Sequence, residues 1–216
     1  MLPYTATAVA EALYQHLDRA AATRGRATLA IPGGRSPGPV LTALAGMLDD
    51  FVRSRLHLLW LDERAVPRDH ADRNDAPTLA AWQAGGALPA HVHPMPAEMD
   101  DLDAAAALYA DTLNEATAGG HLDAALVGIG EDGHFASLFP GHAGLKELAA
   151  VFAITDSPKP PAGRLSLSLP IIRAAGFLPV LALGEAKRAI AVRAQAGPDP
   201  QLPVSLLPRD RMVWFG

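Results

Sequence analysis

The chain has 216 residues, half of them apolar, and a formal net charge of -5. That is ample for a buried core and the wrong sign for bulk binding to nucleic acid or a membrane surface. There is no cysteine, which excludes disulfides, thiolate catalysis and zinc–thiolate sites. The N-terminus lacks a basic-then-apolar leader pattern and no apolar run reaches membrane-span length, so a soluble cytoplasmic protein is expected.

Residues 5–24 read as a helix, because Val9, Leu13, Leu17 and Ala20 recur at helical spacing and Gly25 can end it. Residues 27–31 form a short apolar strand. Pro32-Gly33-Gly34-Arg35-Ser36-Pro37 follows, then a second helix over 39–47. Strand, glycine-rich loop and helix N-terminus together make an anion cradle of loop amides and helix dipole. Gly33 and Gly34 let the backbone approach phosphate oxygens, Ser36 adds a hydroxyl and Arg35 a charge; the plainer alternative is an ordinary βα turn. A second strand over 56–61 is nearly all apolar, as in a sheet covered on both faces. It ends in Asp62-Glu63-Arg64, which is either a solvated edge or part of a site. A polar loop over 66–74 and a short helix before Gly85-Gly86 come next. His91 and His93, at i and i+2 on a third strand, could share a face toward a metal, but no third ligand is evident and no metal site is assigned. Residues 101–118 form a helix capped by Asp100 or Asp101 and ended by Gly119-Gly120.

Residues 124–129 are the next strand, broken at Gly130 and followed by Glu131-Asp132-Gly133-His134. In an α/β protein such a strand-to-loop transition lies at the carboxyl edge of the sheet, where ligands bind. An Asp two residues before a His can fix its ring and tautomer, which suits a general base. Glu131 and Asp132 favour the imidazolium and are expected to push the His134 pKa above ~6.5. Gly128-x-Gly130-x-x-Gly133, with Asp156 downstream, formally matches a dinucleotide fingerprint. Pro140-Gly141 leaves room only for a short helix, and two carboxylates would face the pyrophosphate, so no nucleotide is expected there.

Further on, 145–148 reads as a helical turn, 151–155 as a strand and 157–163 as a proline-rich loop. Residues 164–169 alternate, with Arg164 on the polar face; a short helix over 170–174 and a strand over 177–183 follow. A helix then runs from Gly184 to Ala196. Lys187 in its first turn opposes the dipole unless an anion sits nearby. A last strand covers 212–215. The alternation predicts an α/β fold, a doubly wound, mostly parallel sheet with helices on both faces, as one domain over 1–216. The loops at 33–36, 62–64 and 130–134 converge on one cleft if their strands are neighbours.

Pro-Gly-Gly-Arg-Ser-Pro (32–37), Asp-Glu-Arg (62–64) followed by Asn74, and Gly-Ile-Gly-Glu-Asp-Gly-His-Phe-Ala-Ser-Leu-Phe-Pro (128–140) resemble the 6-phosphogluconolactonase family. Arg164-Leu165-Ser166 and Gly184 to Lys187 fit the same pattern, so the likeness runs from 32 to 187. The same superfamily holds glucosamine-6-phosphate deaminase, which carries a glutamate after a Phe-Asn pair beyond this histidine. Here Phe135-Ala136-Ser137-Leu138-Phe139-Pro140 has the lactonase form. Arg35-Ser36 departs from the family's usual Ser-Thr.

The resemblance implies hydrolysis of 6-phospho-D-glucono-1,5-lactone to 6-phosphogluconate, in the oxidative pentose phosphate pathway, with no metal and no organic cofactor. Its site would hold His134 as base, with Asp132 or Asp62 orienting the histidine or the sugar hydroxyls. Gly33, Gly34, Arg35, Ser36, Arg164 and Lys187 would serve the phosphate, and Arg64 or backbone N–H groups near Gly133 the oxyanion. The expected partner is the sugar-phosphate lactone alone, without nucleic acid or membrane, on a monomer or weak dimer. Two other readings are aldose–ketose chemistry with deamination and a non-catalytic sugar-phosphate sensor, for which the chain has no spare basic segment.

Overall fold

The computed structural model describes residues 1–216. In chain order the first half contains α1 (Ala6–Arg24), β1 (Ala27–Ile31), α2 (Gly38–Met47), α3 (Asp50–Arg53), β2 (Leu56–Trp60), β3 (Asp62–Arg64), α4 (Asp75–Gly85), β4 (His91–His93) and α5 (Leu102–Thr117). The second half contains β5 (Ala124–Ala125), β6 (Val127–Gly128), β7 (Val151–Ile154), β8 (Arg164–Leu167), α6 (Leu169–Ala174), β9 (Leu178–Leu181), α7 (Glu185–Ala194) and β10 (Met212–Phe215).

The main sheet grows around β1, whose five residues are all buried. β1 pairs in parallel with β2 on one side and with β5 on the other, and β4 lies beyond β2. At Leu126 the chain changes partner: β5 follows β1, whereas β6 pairs in parallel with β9, which pairs with β10. The Leu126 N–H still donates to Ala30 O, and the Ala125 N–H to Phe177 O. The expected strand over 124–129 is thus shared between two ladders, and the sheet runs β4-β2-β1-β5/β6-β9-β10, all parallel. Helices flank it: α1 packs on α2 and β1, and α2 on α4.

Local chemistry sets the helix ends. Thr5 Oγ1 accepts the Ala8 N–H, and Gly25, at φ 68, closes α1 by donating to Ala21 O. Asp101 caps α5 through the Ala104 N–H. Trp60 is fully satisfied inside the core: its backbone N–H donates to the Tyr109 hydroxyl and its indole N–H to Thr78 Oγ1. Fifty-eight buried apolar residues form one connected core.

Asp62–Arg64 is not simply the charged tip of β2. It is β3, antiparallel to β8, which is antiparallel to β7, in a small second sheet. The Leu167 N–H donating to Leu61 O makes the handover from one sheet to the other. The alternating face of β8 is also not solvated: Arg164 and Ser166, and Ser168 just beyond, are all buried. No helix follows Gly133. Phe135 instead bridges Ile129 and Leu138 in tight turns, with Ala136 at φ 49. That removes the element a dinucleotide site requires. The single turn α3 and the 3-10 turn Pro203–Leu206 are too short to leave a periodic signal, and the turn expected at 145–148 lies at Ala143–Lys146.

Candidate active site

The carboxyl ends of β1 and β6, with β3, β8 and the start of α7, surround one open cleft of about 310 Å³. Gly33, Gly34, Arg35, Ser36, Asp62, Arg64, His134, Arg164 and Lys187 all line it. Asp132 does not line it, but contacts His134 at Nδ1.

The loop after β6 is wound tightly enough to aim His134. The Gly130 N–H donates to His134 O at 2.8 Å and the Gly133 N–H to Gly130 O at 3.0 Å, with Gly133 at φ 78. A Cβ at Gly130 would collide with both His134 Nδ1 and Asp132 Oδ1. The imidazole therefore lies across bare backbone, with Nδ1 2.5 Å from Asp132 Oδ1. A carboxylate accepting at Nδ1 places the ring proton there and leaves Nε2 with a free lone pair. Lys159, from the proline-rich loop, puts Nζ 2.8 Å from Asp132 Oδ2 and 3.1 Å from His134 Nδ1.

The His134 pKa moves down, opposite to the expectation from sequence. Burial disfavours the imidazolium most, and Lys159 adds to it; together they outweigh the upward pull of Asp132 and Asp62. Glu131 is exposed. Burial alone would raise Asp132, but Lys159 and His134 hold its carboxyl well below the usual range.

Asp62 is buried and accepts the Ser137 hydroxyl at 2.7 Å and the Asn74 amide at 3.4 Å. It makes no hydrogen bond to His134, so of the two carboxylates Asp132 is the one that orients the ring. Arg164 sits 3.8 Å from Asp62, but three of its hydrogen bonds go to the carbonyls of Lys159, Pro160 and Pro161. Most of its donor capacity is thus directed at the loop carrying Lys159.

Two further cations of the cleft are more open. Arg35 and Lys187 have no hydrogen-bond or ion-pair partner in the protein, and neither α2 nor α7 has a side-chain cap at its N-terminus. Two open helix starts and two free cations beside Gly33 and Gly34 suit an anion. Arg64 donates to Asp72 O at 2.7 Å, while its buried Nε has no partner.

Sequence reasoning missed part of the support for this cleft. Glu63 is fully buried and accepts the backbone N–H groups of Arg64, Asn74 and Asp75 at 2.7, 2.8 and 3.0 Å. Arg73, also fully buried, pairs with Glu63 at 3.4 Å, Asp75 at 2.6 Å and Glu98 at 3.2 Å. The pair pins the 64–75 loop so that Asn74 packs against Gly33, where any Cβ would overlap the amide. Asn74 Oδ1 is left buried without a partner. A charged run after an apolar strand hinted at this network, but nothing in the spacing said which charges turn inward. Lys159 was missed too; its only signal was a cation held among prolines.

His91 and His93 stand away from the cleft. His57 of β2 stacks on His91, with ring centroids 4.2 Å apart, and its Nδ1 lies 3.0 Å from His93 Nε2.

The family described as glucosamine-6-phosphate isomerases/6-phosphogluconolactonase matches residues 4–214. A 6-phosphogluconolactonase of Streptomyces coelicolor is 39% identical, over 97% of this chain and 87% of that one. One of Mycobacterium tuberculosis is 36% identical, over 85% and 78%. Among solved structures, 6-phosphogluconolactonase from Thermotoga maritima superposes with a TM-score of 0.87 at 23% identity, covering 99% of this chain and 96% of that one. A monomeric glucosamine-6-phosphate deaminase shares the fold, with a TM-score of 0.80 at 18% identity, over 100% and 95%. The chain belongs to the glucosamine-6-phosphate isomerase/6-phosphogluconolactonase family, and the resemblance read from its motifs holds across its length.

Proposed function

We propose that the chain hydrolyses 6-phospho-D-glucono-1,5-lactone to 6-phosphogluconate, with His134 as general base. The observation that carries this reading is a half-buried imidazole, held at Nδ1 by Asp132 with Nε2 free, in one cleft with Arg35, Lys187 and the Gly33–Gly34 loop. Relatives named 6-phosphogluconolactonase that match most of this chain support the substrate class.

The phosphate sits between the helix starts and the free cations, which fixes the lactone carbonyl relative to His134. Nε2 takes a proton as a water oxygen bonds to the lactone carbon, and the carbonyl pair moves onto oxygen. The developing negative charge needs donors, for which Arg64 is a candidate from the cleft wall. Collapse breaks the bond to the ring oxygen, which receives the proton from the imidazolium, and the base is regenerated. The new carboxylic acid then ionises in solvent.

Deamination is the second reading, because a deaminase shares the fold. It needs a further acid–base group. The only carboxylate lining the cleft, Asp62, is engaged by Ser137 and Asn74. The test is lactone opening with the spontaneous rate subtracted, alongside ammonia release from glucosamine 6-phosphate. Acceleration of the first alone is expected; ammonia release at a comparable rate overturns the assignment.

A further inference from the structure

We propose that Lys159 is a positioning residue of the catalytic group, bridging Asp132 and His134 so that the carboxylate orients the imidazole without drawing it into the charged form. The inference rests on the reading of His134 as the base and goes beyond it.

An isolated aspartate–histidine pair has a built-in conflict. The carboxylate that fixes the tautomer also stabilises the imidazolium, and a protonated ring cannot act as a base. Lys159 resolves the conflict by geometry. Asp132 offers one oxygen to the ring and to the His134 backbone N–H, at 2.5 and 3.3 Å, and the other to Lys159 Nζ at 2.8 Å. The same ammonium lies 3.1 Å from Nδ1. With Nδ1–H donating to Asp132, that approach is a charge beside the ring and opposes a second proton on it.

The charged groups that face the imidazole are Asp132 from its own loop, Asp62 from β3 and Lys159 from the loop before β8. Arg64, Arg164 and Lys187 stand further along the cleft wall. Both carboxylates favour the imidazolium, and Lys159 is the cation set against them at contact distance. Lys159 does not line the cleft, and its ammonium contacts Asp132 and His134.

The backbone that carries Lys159 is also held in place. Arg164, itself only 5% exposed in its side chain, donates to the carbonyls of Lys159, Pro160 and Pro161 at 3.0, 3.1 and 3.2 Å. The Ser157 hydroxyl donates to Lys159 O at 2.8 Å, and the Ser157 N–H to Ala162 O at 3.1 Å. A buried guanidinium used to fix three consecutive carbonyls is a costly arrangement for an ordinary surface loop. It is explained if the Lys159 charge must stay where it is.

The experiment follows the His134 ring by NMR through a pH titration, and the pH dependence of kcat/KM for lactone opening, in wild type, Lys159→Gln and Lys159→Arg. Lys159 is 45% exposed, so both variants are expected to fold. In Lys159→Gln the ring midpoint and the acid limb should both rise by about one pH unit, the usual effect of losing one close charge. The ratio of kcat/KM at pH 6 to that at pH 8.5 then falls several-fold. Lys159→Arg keeps the charge and should restore most of both. A purely structural lysine would lower the rate alike at every pH, and a ring midpoint unchanged in Lys159→Gln overturns the proposal. A ring midpoint that moves while the acid limb stays fixed upholds Lys159's hold on the imidazole and removes His134 as the base. The two readings therefore fail separately.

Discussion

Single atoms decide whether the loop after β6 can work. Gly130 is required not by its φ but by what lies above it: the contact between His134 Nδ1 and Asp132 Oδ1 occupies the space of a Cβ. Gly130→Ala should push the ring off its carboxylate and lower kcat by ~10²-fold or more, the scale set by a misplaced acid–base group. Affinity for 6-phosphogluconate should hold, because the cradle at Gly33 is untouched. A wild-type kcat in a folded Gly130→Ala protein would show that the dyad is not needed. Arg164 was expected from sequence to act as a phosphate ligand. It lines the cleft, yet three of its hydrogen bonds serve the 159–161 loop. Arg164→Ala should consequently raise KM and also displace the acid limb upward. A change in KM with an unmoved pH profile would confine Arg164 to binding.

At the scale of elements, the parallel strands were legible because each buried run is apolar and bounded by glycine or charge, as in β1, β2 and β9. The glycine-rich loop between β1 and α2 was legible for the same reason: strand, glycine, helix is a local pattern. What was not legible depends on long-range pairing. β3 is three charged residues, and only β8, about a hundred positions on, makes it a strand. Glu63 and Arg73 look like surface charges until the fold buries both. Removing one partner strands the other, so Arg73→Ala should cost about 3–5 kcal/mol. A urea midpoint within error of wild type would contradict the burial. The His134 pKa was misread in the same way, since burial and Lys159 come from elsewhere in the chain.

The β2–β4 edge carries its own pH response. Burial, then His91, His93 and Arg26, lower the His57 pKa from 6.5 to about 4. As pH falls through 6.5 the unfolded chain takes the proton first, so stability is undiminished above 6.5 and drains between 6.5 and about 4. The folded edge should weaken across that window, and His57→Gln should flatten the slope. Equal slopes of the unfolding free energy against pH in the two proteins would rule His57 out.

Taken whole, the molecule bears a net charge of -5, yet its cleft gathers Arg35, Arg64, Arg164 and Lys187. A local positive field inside an acidic protein selects an anion by position, and salt screens it over about 8–10 Å. Raising ionic strength should therefore raise KM more than it lowers kcat. No helix is long and apolar enough to cross a membrane.

Everything proposed for the cleft depends on His134 being the base that activates water. The most direct test of that role is kcat, melting temperature and 6-phosphogluconate affinity of His134→Gln, measured together. Glutamine keeps the size and some hydrogen bonding but cannot take the proton. The expected result is a folded protein with product affinity near wild type, a kcat lower by ~10²–10⁴-fold and no acid limb below pH 6.5. A folded His134→Gln protein that keeps both its rate and its acid limb would contradict it.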